Sequence, residues 1–71
     1  MKNQLDQTLI ELKEAELIAG RLPCGDDRAR KMELARRGIE ILANAEGEAE
    51  RGRVIDKHIK QVRQIIFLIL K

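Results

Sequence analysis

Ile55, Ile59, Val62, Ile66 and Ile69 follow one another at steps of four, three, four and three. β-Branched residues suit strands, but that spacing has the period of one helix face and not the alternation of a strand. Arg53, Lys57, Lys60 and Gln64 occupy the opposite face. The segment then ends in Ile65-Ile66-Phe67-Leu68-Ile69-Leu70, which is apolar on every side. A helix apolar all round is a buried helix, and the same run as a strand is an aggregation-prone edge. The tail therefore needs a cover in either form. A chain of 71 residues has little to offer: it hides only about 60% of its unfolded surface, and such a core rarely supplies more than about 3–5 kcal/mol. A second polypeptide that shelters the tail is the expectation.

The segment from about residue 3 to 19 is also helical in period. Leu5, Leu9, Leu12, Ala15 and Ala19 recur at three- and four-residue steps, with Leu22 beyond. Ile10, Leu17 and Ile18 widen that stripe, so the helix is expected to meet more than one neighbour. Asn3 and Asp6 are the candidate caps.

Residues 20–26 are a turn. Gly20 stands where a C-cap glycine belongs, Pro23 cannot continue a helix, and Gly25 permits a tight turn. Asp26 or Asp27 then offers an N-cap oxygen and a negative charge at the positive helix end. The next helix starts near residue 27, with Met32, Ala35, Ile39 and Leu42 as its seam. Gly38 weakens this helix but permits a close helix contact. Asp27–Lys31, Glu33–Arg37 and Asp56–Lys60 each place an acid four residues before a base, a supportive spacing on a helix.

Residues 43–52 are the ambiguous stretch. They hold no proline and no large apolar residue, and Gly47 and Gly52 are poor helix formers. Alanine and glutamate, which fill the rest, are good ones. The favoured reading is one long or kinked helix from about 27 to 70, with a break at 47–52 as the alternative. The fold class is all-α throughout: a helical hairpin or a small three-helix bundle with coiled-coil-like packing, a single domain, oligomeric. On the long-helix reading the C-terminal half is left over for a partner.

Charge is arranged in blocks. Residues 1–19 are net −2, 20–37 net +3, 38–50 net −4 and 51–71 net +5. Alternating blocks suit antiparallel helices that pair opposite signs. The chain has no run of signal-peptide length and no stretch long enough to span a bilayer. With a single cysteine it has no internal disulfide, and a cytoplasmic location is the expectation.

Few residues suggest chemistry. Cys24 precedes a helix N-terminus, but Asp26 and Asp27 oppose thiolate formation, and an inert loop cysteine is the simpler reading. His58 lies beside the apolar seam without a ligand at proper spacing. Glu46, Glu48 and Glu50 alternate with Ala and Gly on what reads as a solvated face. No phosphate loop, nucleophile elbow, EF-hand or metal-ligand set is present. We therefore expect no enzyme, no cofactor and no metal.

The expected function is a small helical interaction module, an adaptor, regulator or inhibitor, that self-associates or binds a helical partner. Its partner-binding residues are Ile55, Ile59, Val62, Ile66, Phe67 and Ile69. Val62→Asp is expected to abolish assembly by burying an unpaired charge there. The alternative is a nucleic-acid-binding regulator that uses Arg28, Arg30, Lys31, Arg36 and Arg37 for phosphates. Against it, the acids among these bases dilute the charge, and aromatics for base stacking are missing. A third reading lays the basic C-terminal helix on an anionic membrane surface.

Overall fold

The computed structural model describes residues 4–53 and 55–71. They form three α-helices and no strand: α1 (Gln4–Gly20), α2 (Asp26–Glu50) and α3 (Asp56–Leu70). Each helix packs against the other two. Leu5 to Lys13 of α1 run antiparallel to Ile39 to Glu46 of α2 along one groove. Glu11 to Ile18 of α1 run parallel to Arg63 to Leu70 of α3 along another.

The stripe read from the sequence forms the core side of α1. Leu5, Leu12, Ala15 and Ala19 are buried, and Leu9 is half-buried. Thr8, which the stripe omits, is fully buried with them. Its hydroxyl donates to the Gln4 carbonyl at 2.6 Å, so a polar side chain enters the core with its hydrogen bond satisfied. Asn3 lies outside the described residues, and Asp6 sits in the first turn, where its charge suits the helix dipole.

The first turn departs from the expected caps. Gly20 remains helical with no positive φ. Instead the Arg21 and Leu22 amides donate back to Ile18 and Ala19, each at 3.1 Å, tightening the last turn before Pro23. Gly25 is the N-cap residue of α2, and no side chain caps it. Asp27 turns to Arg30 and Lys31 instead, at 2.7 and 3.4 Å.

The long helix read from residues 27 to 70 is two helices. α2 continues through Gly47 and ends at Glu50. Gly52 has φ +75°, the left-handed conformation that side chains resist. Its amide donates to the Ala49 carbonyl at 3.0 Å, and the Arg53 amide donates to the Glu48 carbonyl at 3.0 Å. These are the paired bonds of a Schellman stop. Gly52, counted in the sequence as a weak helix residue, is the terminator. Gly47 has open space around it. The two glycines should therefore respond in opposite directions. Gly52→Ala is expected to lower stability by about 1 kcal/mol, and Gly47→Ala to raise it by about 0.5–1 kcal/mol. Urea unfolding midpoints of the two variants check this. Equal shifts would contradict it.

After the stop, α3 returns along the hairpin and buries Ile59, Val62, Ile65 and Ile69. The C-terminal half is thus not left over for a partner. It completes the chain's own core. Val62 is fully buried there, so an aspartate at this position tests folding and not assembly. The apolar tail of α3 is covered on one side alone. One face is sealed inside, while Phe67, Leu68 and Leu70 remain exposed.

α2 makes room for the return of α3 by presenting small residues. Its buried positions are Ala35, Gly38, Leu42 and Ala45, whereas Met32 and Ile39 of the expected seam are half-buried. A Cβ at Gly38 would stand 3.0 and 3.1 Å from the two methyls of Leu12 and 3.6 Å from Ile65 Cγ2. All three helices therefore meet where α2 has no side chain.

Candidate functional site

The sequence-predicted partner residues divide into two sets. Ile59, Val62 and Ile69 are buried, Ile55 and Ile66 are half-buried, and Phe67 is 65% exposed. Of these, Ile66 and Phe67 lie at the surface beside Ile18 of α1. Ile65 takes the buried place that the spacing assigned to Ile66.

Six large apolar side chains stand exposed among the described residues: Ile10, Leu17, Ile18, Phe67, Leu68 and Leu70. Ile18 from α1 meets Ile66, Phe67 and Leu70 from α3 across one groove, floored by Ala15. Glu11 and Glu14 bound it on the α1 side and Arg63 on the α3 side. Arg63 reaches Glu11 at 3.5 Å, a half-exposed pair that ties the two helices. Ile10 and Leu17 are seven residues apart, hence on one side of α1, away from its buried stripe. Leu68 looks the other way, into the groove between α2 and α3 beside Leu34 and Ile41.

Sequence reasoning named Phe67 but not Ile18 or Leu70. The signal was present, since Ile10, Leu17 and Ile18 exceeded what one core stripe needs. A third helix with its own apolar excess had to lie beside α1 before these residues became one face.

The basic residues of α2 are mostly engaged. Arg36 binds Glu33 at 2.6 Å and Glu40 at 2.9 Å. Glu33 thus pairs with Arg36, one residue before the expected Arg37. Arg30 and Lys31 both reach Asp27. Hydrogen bonding from Arg30 holds the Asp27 carboxyl below its ordinary pKa, Arg36 does the same for Glu33, and the Arg36 guanidinium is held still more firmly protonated. Lys31 also donates to the Lys71 carbonyl at 3.3 Å, joining the start of α2 to the end of α3. Arg28 and Arg37, like Asp56 and Lys60, form no ion pair among the described residues.

Cys24 is exposed in the first turn, and His58 is half-buried in α3. Glu46 and Glu50 are exposed and Glu48 half-buried. Among the described residues no group of three or more His, Cys, Asp or Glu is placed to hold a metal ion, and no helix is long and apolar enough to cross a membrane. The chain matches no protein-family model, no curated protein and no solved structure.

Proposed function

We propose that the protein is a small, non-enzymatic helical interaction module that binds protein through the face shared by α1 and α3. The observation that carries this reading is the juxtaposition of Ile18, Phe67 and Leu70 in one exposed groove. Single exposed apolar residues are ordinary, but contiguous ones rimmed by charge mark interaction sites. Aromatic anchors of this kind dominate binding energy when a partner encloses them. The rim of Glu11, Glu14 and Arg63 supplies orientation and partner choice.

The nucleic-acid alternative has less support. Three of its five bases are already ion-paired within α2, to carboxylates at 2.6–3.4 Å with which phosphate would compete. The test is site-directed photocrosslinking. Benzoylphenylalanine in place of Phe67 is expected to capture protein in the native cell, whereas the same group at Asn44, exposed on α2, is not. Identical patterns from the two positions would sink the reading.

A further inference from the structure

We infer that the occupant of the α1/α3 face is a second copy of this chain, related by a two-fold axis parallel to the helices, so that the acidic edge of α1 in each protomer lies on the basic edge of α3 in its partner. This deepens the interaction-face reading and rests on it.

Charge is divided between the two sides of the groove. On the α1 side the groove is bounded by Glu11 and Glu14. Lys13, the one base of α1, lies in the α1/α2 groove instead. On the α3 side the bounding charges are Arg63 and, one turn earlier, Lys60. Asp56 lies at the far end beside Gln4, away from the apolar groove. The face is therefore acidic along one helix and basic along the other, with an apolar strip between.

Such a face is self-complementary under only one of the two axes open to an isologous pair. An axis across the helices lays α1 on α1 and α3 on α3, acid on acid and base on base. An axis along the helices lays α1 on the partner's α3. Because α1 and α3 run parallel, that operation keeps every residue at its own level. Glu11 already stands level with Arg63, at 3.5 Å within one protomer. Under the helix-parallel axis it also meets the partner's Arg63, and the two intrachain pairs merge into a ring of four alternating charges. The apolar residues agree with this axis. Ile18 and Leu70 lie together at one end of the groove. A crosswise axis through the middle would set that end against the polar end, whereas the parallel axis sets it upon itself.

Size is adequate for a modest complex. Two helices of 17 and 15 residues, side by side, present about 500 Å² in plan, and more once the ridges are counted. A stable complex hides about 600–1,000 Å² per partner, so the dimer belongs at the weak end of that range. Its dissociation constant is expected to be micromolar.

Charge exchange tests both the occupant and the axis. Sedimentation of the purified wild-type chain across the micromolar range is expected to show a monomer–dimer equilibrium. Glu11→Lys with Glu14→Lys, or Lys60→Glu with Arg63→Glu, puts like charges opposite each other and is expected to weaken the dimer by at least about tenfold. Circular dichroism verifies that each variant keeps its helices. All four changes in one chain restore opposite signs, within the protomer and across the interface, so this swapped chain is expected to dimerise as the wild type does. Mixed with wild type, it is expected to form no heterodimer in native mass spectrometry. A wild-type chain that stays monomeric at several hundred micromolar overturns the proposal. So does ready heterodimer formation, which the crosswise axis requires. A monomer whose position 67 still captures a different protein removes the second copy but leaves the interaction-face reading standing.

Discussion

Val62→Asp is expected to leave the chain unfolded, with its helical circular dichroism lost at room temperature. Val62 is fully buried between the neighbouring helices, with Ile59, Ile65 and Ile69 on its own face of α3. A carboxylate there has no cation to meet, since the bases of α3, Lys57, Lys60 and Arg63, are all exposed. Desolvating an unpaired charge costs several kcal/mol, which equals or exceeds the about 3–5 kcal/mol that a core of this size supplies. Phe67→Asp is the matched control. Five residues further along the same helix, Phe67 is 65% exposed, so the same change is expected to keep the helices and shift the melting temperature by only a few degrees. If both variants fold, or both fail, the division of α3 into a core face and an exposed face is wrong.

The second large effect is at the crossing of the three helices. Leu12→Ala is expected to cost about 2–5 kcal/mol, because Leu12 is fully enclosed and its loss leaves a hole that rigid helices fill poorly. Gly38→Ala offers a specific repair. In the wild type, an added Cβ would press on the Leu12 methyls at 3.0 and 3.1 Å. That strain is expected to cancel the roughly 1 kcal/mol that alanine gains over glycine in a helix. With Leu12 shortened the strain is gone and the Cβ enters the vacated space. Gly38→Ala is thus expected to be neutral to harmful alone and stabilising beside Leu12→Ala. The coupling between the two should reach about 0.5–1 kcal/mol in a double-mutant cycle read from urea unfolding. Strictly additive effects would show that Gly38 and Leu12 do not share this contact.

Parts of the candidate face were legible in the sequence and parts were not. Phe67 could be picked out because its run had more apolar residues than one helix face can bury. Ile18 could not be joined to it, because residues 49 positions apart become neighbours only when α3 lies parallel to α1. The basic residues of α2 invited a phosphate-binding reading for the opposite reason. Composition displays Arg36 as a free cation, while a helical turn brings Glu33 and Glu40 to it on either side.

The sequence by itself determined the helices. Periodicity, Pro23 and the flanking glycines are local signals, and they placed α1, the first turn and the seam of α3 near where they lie. Only the tertiary structure decided that residues 27–70 divide, and which isoleucine of the pair Ile65 and Ile66 turns inward. Residues 43–50 have the intrinsic preferences of a continuous helix, and the local glycine cap at Gly52 permits a stop there without requiring one. The stop is stabilised by the burial of Ile59, Val62, Ile65 and Ile69 of α3 against helices that lie far from them in the chain. That gain is non-local, so no window of sequence around the turn contains it.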